Sequence, residues 1–478
     1  MNRHNIWIHI GLAAILVTLA AVVGQIDRWR SGLRTQTVQR RVTIPAPPPP
    51  TISTADTITT NTDAEVLVRF RSGTALDAIR AIAMRNHDQV VDEIESVGGL
   101  VAIDDLDNAD AESVARQYAA MPGVEYAEVN DIIKLDDPAV STNHDDVDQN
   151  TYEPNQPNDP QFADQWALNN LGQNGGKSRA DIDALKAWAL TQGSKDVVVA
   201  VLDSGVDYTH VDLRSNMWFR PEEIPAYTDD ELGTFQDLHG FDIAETIGDP
   251  MDDNGHGTHC AGVIGAEGNN GEGIAGINWK VRVMPLKFLG RSGYGSTKTA
   301  IEAINYAIDR KKHGVNVRVI SASWGSTRSS KALRDAIAAA GDAGILFVAA
   351  AGNNGTDNDK RPHYPSNYDL PNVVSVAALD RNDALTSFSN FGAKTVHIAA
   401  PGKDILSTWL GDEYREASGT SMATPQVSGV AALIVAADPK ISVTELRKRL
   451  LKCVDKLDSL NGKVASAGRL NAAKALDN

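Results

Sequence analysis

Cysteine is almost missing: Cys260 and Cys453 are the only two in 478 residues. One bridge cannot define a chain this long, so a disulfide scaffold is excluded. The same count disfavours Cys₄ and Cys₂His₂ zinc sites. Basic charge is also short, with 45 Lys and Arg against 62 Asp and Glu and a net charge of −17. Phosphate-backbone binding rests on clustered Lys and Arg, so no nucleic-acid partner is expected. What is present is ordinary for a globular protein, 42% hydrophobic and 22% charged residues, which excludes wholesale disorder. The length admits one large domain of roughly 250–300 residues with smaller pieces beside it.

Residues 6–23 form an apolar run longer than the usual signal-peptide core of about 7–15 residues and shorter than a membrane helix of about 20. Arg28, Arg30, Arg34, Arg40 and Arg41 follow it, a flank that the positive-inside rule holds in the cytoplasm. Residues 1–27 are therefore read as a signal peptide or an N-terminal membrane anchor. Residues 28–62 are Pro- and Thr-rich and suit an extended linker. Residues 63–136 alternate between strand-like and helical periods in the order β-α-β-α-β, with a further short strand near 90–94. That pattern predicts a small ferredoxin-like α+β domain. Residues 137–158 are polar, rich in Asp, Asn and Pro, and open to proteolysis.

From 159 to 478 the pattern becomes a long α/β alternation. Apolar strands are expected at 197–202, 281–289, 317–321, 345–351, 373–378 and 396–400, and helices at 296–312, 330–341, 421–437 and 443–456. Strands apolar on both faces imply a mainly parallel sheet covered on both sides, a three-layer α/β/α domain. Function in such sheets gathers beyond the carboxyl ends of the strands. Three polar residues stand there or at helix starts. Asp203 ends the first strand, His256 opens an Ala/Gly-rich helix, and Ser421 precedes another helix whose first turn suits Pro425. A carboxylate, an imidazole and a hydroxyl are the parts needed to activate a weak nucleophile.

The strings that carry these residues are Val201-Leu202-Asp203-Ser204-Gly205, Gly255-His256-Gly257-Thr258-His259 and Gly419-Thr420-Ser421-Met422-Ala423. In motif and in the order Asp, His, Ser they resemble the subtilisin-like serine proteases, thermitase-like members most closely. The resemblance runs from about Asp159 to about Ala473. It extends to the small domain, whose end, Met121-Pro122-Gly123-Val124-Glu125-Tyr126-Ala127-Glu128, is similar to that of the family's inhibitory propeptide. The resemblance implies a self-processing serine endopeptidase with Ser421 as nucleophile, His256 as base and Asp203 as its orienting partner. Val348-Ala349-Ala350-Ala351-Gly352-Asn353 matches the oxyanion motif and makes Asn353 a donor. Polypeptide substrate would pair along Gly293-Tyr294-Gly295 and Ser323-Trp324-Gly325. Ala350, Ala351 and Gly352 would form the second wall of the pocket, and Asn354 and His363 would lie near its base. Trp324 stands where the family often has Leu, which suggests a narrower next subsite.

The resemblance also implies structural Ca²⁺, held by Asp159, Asp212, the side chain of Asn270 and backbone oxygens of Glu267, Glu272 and Ile274; Asp249, Asp252 and Asp253 hint at another cation. The implied domains are a propeptide at 63–136, a processing linker at 137–158 and a catalytic domain at 159–478. The protein would be a monomer, secreted or anchored in the cell envelope, with its own propeptide as intramolecular inhibitor. The span 218–247, longer than in compact relatives and acidic, reads as a surface insertion near the cleft that favours basic substrate residues. His256-x-x-His259-Cys260 lacks a third convergent metal ligand. A catalytically silent scaffold, and a processing enzyme with one partner, are the competing readings.

Overall fold

The computed structural model describes residues 66–135, 139–141, 155–229 and 232–477, all inside one compact unit, Thr62–Asn478. The apolar run at 6–23, the Pro/Thr linker and most of the 137–158 segment lie outside the described residues.

Val66–Phe70 (β1), Leu76–Arg85 (α1), Asp88–Glu93 (β2), Leu100–Asp105 (β3), Ala111–Ala119 (α2) and Val124–Val129 (β4) make an N-terminal lobe. Its four strands pair antiparallel in the order β2-β3-β1-β4, the ferredoxin-like arrangement expected, with the extra strand at β2. Side chains alternate across the sheet. Val66, Val68, Phe70, Val101 and Ile103 face α1 and α2, packing on Ile79, Val114 and Tyr118. Leu67, Leu100 and Ala102 point the other way, into an apolar cluster shared with helices of the body described next.

Ile132–Lys134 (β5) and Ala139–Ser141 (β6) lead out of the lobe. The body comprises Ala184–Trp188 (α3), Gly193–Asp203 (β7), Thr228–Asp229 (β8), Gly233–Thr234 (β9), Phe241–Asp242 (β10), His256–Gly265 (α4), Lys280–Lys287 (β11) and Tyr294–Ser296 (β12). It continues with Thr297–Lys312 (α5), Val317–Ala322 (β13), Lys331–Asp342 (α6), Leu346–Ala350 (β14), Val373–Leu379 (β15), Ile398–Pro401 (β16), Ile405–Trp409 (β17) and Glu413–Ser418 (β18). Thr420–Ala437 (α7), Val443–Lys452 (α8), Val454–Lys456 (β19), Gly468–Leu470 (β20) and Ala472–Leu476 (α9) complete it. The main sheet has nine strands in the order β10-β11-β7-β13-β14-β15-β16-β20-β19, parallel except for the last pair. From β7 the chain builds to one side through β11 and to the other through β13. The end of β7, where Asp203 sits, is thus a switch point at which α/β sheets open a crevice.

β7 shows how the layers form. Val197, Val199 and Val201 enter the cluster holding α4 and α7, whereas Val198, Ala200 and Leu202 enter the one holding α5 and α6. Among the described residues α7 alone is long and apolar enough to cross a membrane. Its side chains are buried on every face, as suits the central helix of a core.

Three expectations are corrected. The helix expected over 443–456 stops at Lys452, because Asp455 is drawn into the β19–β20 hairpin by Arg469 and Asn471. Pro425 is the sixth residue of α7, not part of its first turn. The acidic 218–247 span is anchored in the core and is not only a surface insertion: Tyr227, Asp237 and Phe241 are buried, Tyr227 stacks edge-on against Tyr306 of α5 at 5.0 Å, and Asp237 accepts from the Tyr306 hydroxyl (2.7 Å) and the buried Arg310 (3.2 Å).

Candidate active site

Asp203 is fully buried at the tip of β7. Its Oδ1 lies 2.7 Å from His256 Nδ1 and accepts from the Ser204 N–H at 2.8 Å. An ionised carboxylate can only accept, so the imidazole proton sits on Nδ1 and the Nε2 lone pair becomes the base. Asp252 fixes the approach. Its Oδ1 accepts from the Ser204 hydroxyl (2.9 Å) and the N–H groups of Asn254 (2.9 Å) and Gly255 (3.0 Å). Its Oδ2 accepts from Thr258 N–H (3.0 Å) and hydroxyl (2.6 Å). One carboxylate thereby ties the start of α4 to the end of β7. Gly257 is required there, because a Cβ would fall 2.0 Å from the Gly205 carbonyl oxygen.

Ser421 is the second residue of α7 and almost fully buried. Its Oγ donates to the Ser323 carbonyl at 2.9 Å. Ser323 returns the contact, its hydroxyl donating to the Ser421 carbonyl at 2.8 Å, and Cys260 Sγ reaches the same oxygen at 3.6 Å. That oxygen is available because Pro425, four residues on, has no N–H to take it. Asn353 follows β14. Its Oδ1 accepts from the Thr420 N–H (2.8 Å) and hydroxyl (2.9 Å), which fixes the amide's orientation and turns Nδ2 away from Thr420 as a spare donor. The Ser421 N–H belongs to a helical first turn, where no preceding carbonyl completes the ladder. A carbonyl oxygen brought to this corner meets two donors and the positive end of a helix dipole.

β12 (Tyr294–Ser296) pairs antiparallel with β5, Gly295 opposite Ile133, and the Leu135 N–H donates to the Gly293 carbonyl at 2.8 Å. Ile133 and Leu135 are buried. Across the site β18 pairs antiparallel with β6, Ser418 opposite Ala139, immediately before Gly419 and Ser421. The lobe's tail therefore occupies both rims of the crevice that ends at Ser421. Glycine at 325 is needed because the His363 ring fills the space where a Cβ would project, 2.0 Å from Cε1. His363 is buried between Gly325 and Gly352, and Asn354 is exposed. Ala351 turns its backbone inward, N–H to Val376 and C=O to Asn358 and Asn390, so it offers a wall and no strand-like pairing. Trp324 is buried on Phe288 with its indole N–H on the Leu202 carbonyl at 2.9 Å.

The loop after α4 gathers around Asp212. This buried carboxylate accepts from the Ile274 N–H (2.9 Å), the Asn270 amide (2.8 Å) and the Tyr414 hydroxyl (3.1 Å). Asp159 accepts from Asn269 N–H (2.6 Å) and Asn270 N–H (3.1 Å). Glu267 N–H meets the Asp212 carbonyl (2.8 Å), and Glu272 N–H the Asn270 Oδ1 (2.8 Å). Burial, reinforced by the Asp159 charge, pushes the Asp212 carboxyl up to about 6. Two buried carboxylates in an oxygen-rich loop are the donor set of a hard cation. The weaker trio is corrected: Asp252 is saturated by donors, Asp253 holds Lys287 (2.7 Å) and Asp249 holds Tyr208 (2.9 Å). His259 is no ligand either. Its Nε2 meets the carbonyls of Ile405 (2.9 Å) and Arg415 (3.1 Å), and burial lowers its pKa to about 3. Both cysteines are buried, and neither forms a disulfide among the described residues. Sequence reasoning missed the bracing role of Asp252, which it read only as a possible cation ligand, the Thr420 bonds to Asn353 and the two-way bond of Ser323; Asp252-Asp253-Asn254-Gly255 before the histidine was the available signal, a turn-forming string able to brace it.

A family model described as the subtilase family, Peptidase_S8, matches residues 194–468, more than half of the chain. The chain is 38% identical over 290 residues to the thermophilic serine proteinase of Bacillus sp. strain AK1, covering 61% of this chain and 64% of that protein. It is 35% identical over 320 residues to thermitase of Thermoactinomyces vulgaris, covering 67% and 99%. It spans 18% of subtilisin-like protease 2 of Plasmodium falciparum, at 39% identity. Among solved structures, the proteases from Pseudoalteromonas arctica PAMC 21717 align at 30% identity and a TM-score of 0.55, over 67% of this chain and 99% of that one.

Proposed function

The chain belongs to the subtilase family, and from that premise we propose that it is a serine endopeptidase made as a zymogen. The observation that carries the reading is the pairing of Asp203 with His256 Nδ1 beside an Asn353 amide whose oxygen is already engaged by Thr420. Ser421 Oγ attacks the scissile carbonyl while its proton passes from the Ser323 carbonyl's side to His256 Nε2. The imidazolium is stabilised by Asp203. The oxyanion accepts hydrogen bonds from Asn353 Nδ2 and the Ser421 N–H. Collapse breaks the C–N bond, His256 protonates the leaving amine, and water repeats the sequence on the acyl-enzyme.

The N-terminal lobe acts as inhibitory propeptide. Its support is the tail, with β5 laid on β12 where substrate would add as a strand and β6 on β18 beyond Ser421. The bond cut on maturation then lies between residues 135 and 139, a narrower interval than the 136–159 that the sequence alone allows. Calcium would be held by Asp159, Asp212, Asn270 and the carbonyls of Glu267, Glu272 and Ile274. When bound it supplies a cross-link between β7's following turn and the loop after α4. The substrates are polypeptides, and the compartment is the cell envelope or beyond, as the apolar run at 6–23 indicates.

Intact mass and N-terminal sequencing of wild type and Ser421→Ala, incubated with calcium, test the reading. Wild type should begin between residues 136 and 139 and the variant should stay whole. A wild-type chain that remains uncut, or a variant that matures alone, overturns self-processing.

A further inference from the structure

The contact between lobe and body encloses a group of carboxylates that the proposed chemistry does not use. Asp92 comes from β2 of the lobe, Asp229 from β8 in the acidic span, and Glu302 from α5. All three are buried, and one oxygen of each lies within 4.8 Å of the others. That is the span of oxygens on opposite sides of one ion at Ca–O distances of about 2.3–2.6 Å.

Glu302 is the independent sign of a missing partner. It is 1% exposed, no N–H or O–H donor meets either of its oxygens, and the hydrogen-bonding neighbour it has is the Asp92 carboxyl itself. The buried Asp252 carboxylate, by contrast, is saturated with donors. Asp229 is partly engaged, accepting from the Leu232 N–H at 2.7 Å and the Tyr227 hydroxyl at 3.4 Å. The positive charge present is Lys298, 2.5 Å from Asp92. Glu95 of the lobe adds a fourth carboxylate nearby, bonded to Asn305. Burial and mutual repulsion push the carboxyls of Asp92, Glu95 and Glu302 up, the signature of negative charge short of a counter-charge.

We propose that Asp92, Asp229 and Glu302 bind a hard divalent cation, of the calcium class, that joins the N-terminal lobe to the body. The site is distinct from the Asp159–Asp212 loop and takes a ligand from each side of the contact. Resting on the zymogen reading, its consequence is that the ion holds the inhibitor in place and that its loss after cleavage lets the lobe leave.

The test uses the full-length Ser421→Ala chain, which stays uncut, so ion binding can be read whether or not wild type proves to be a peptidase. Terbium and calcium titrations of this parent are compared with the same chain carrying Glu302→Gln or Asp92→Asn. Each variant should bind one ion fewer per chain. Terbium emission sensitised through Tyr227 should fall with it. Glu302→Gln should melt below the parent in calcium and no lower than the parent in chelator, a reversal that a folding defect would not give. Unchanged stoichiometry in both variants, with the same calcium-dependent melting shift, overturns the proposal. So does a Glu302→Gln chain that melts higher than the parent with and without calcium, because the cluster would then be held by protons.

Discussion

The body and the N-terminal lobe hold their charged groups by different means. In the body, Asp252, Thr420 and Ser323 orient the site through bonds between elements of one sheet and its flanking helices. The lobe reaches the body at helix starts. Glu128 accepts from the Ser330 hydroxyl and the N–H groups of Lys331 (2.9 Å) and Ala332 (3.1 Å), capping α6. Asn130 and the Asp131 carbonyl do the same for Lys298 N–H and Thr297 N–H of α5, both at 2.8 Å. A carboxylate at a helix N-terminus gains from unpaired N–H groups and from the dipole. Chemistry and docking should therefore separate: changes in one set of residues should leave the other intact.

The largest break is on the chemical side. Asp203→Asn should slow self-conversion of the full chain by about 10⁴, because the amide no longer enforces the Nδ1–H tautomer. Asn353→Ala should slow it by about 10²–10³, the loss known for removal of this kind of oxyanion donor from subtilisin. Both are read as time courses of the cut, alongside hydrogen exchange in β1 and β4. Slowed cutting with unchanged lobe protection keeps the comparison; loosened lobes in both variants would end it.

The same division decides what was legible. The six body strands announced themselves because parallel strands are apolar on both faces, and the triad because each member sits in a short contiguous string. The lobe's sheet was legible from its periods, with β2 foreseen as an extra strand. What failed to show were pairings across sequence. Asp92 and Glu302 are far apart in the chain, and neither position looks unusual by itself. The acidic span read as a surface insertion because charge says nothing of packing; Tyr227, Phe235 and Phe241 stack it onto α5. The inward bonds of Ala351 and the burial of Trp324 depend on neighbours from other strands.

A smaller effect belongs to the loop around Asp212. Its folded pKa of about 6 lies above the ordinary 3.8, so without calcium the ionised group opposes folding. That penalty is complete above about pH 6 and is relieved as pH falls toward 4. Calcium-free Ser421→Ala protein should thus gain stability on going from pH 7 to pH 5, by at most about 3 kcal/mol over the full titration. Calcium should reverse the slope, since the ion requires the ionised form. Asp212→Asn should flatten the slope in chelator. Chemical denaturation at the two pH values checks it, and an equal slope in both chains would remove Asp212 from the account.

On the docking side, Glu128→Ala leaves three donors at the start of α6 without their carboxylate. It should weaken the lobe's hold by about 2 kcal/mol, read as opening of residues 66–135 by hydrogen exchange in the uncut chain. Arg328→Ala sharpens the point. Arg328 also spans lobe and body, 2.8 Å from Asp131, but its side chain is 67% exposed. An exposed ion pair holds two long side chains still against water and salt, so its loss should cost less than about 1 kcal/mol and vanish in high salt. The Glu128 effect should persist there, because its oxygens meet fixed backbone N–H groups and not a long flexible cation. If the two variants opened the lobe equally, and salt erased both, the lobe would be held by diffuse charge attraction and not by capping.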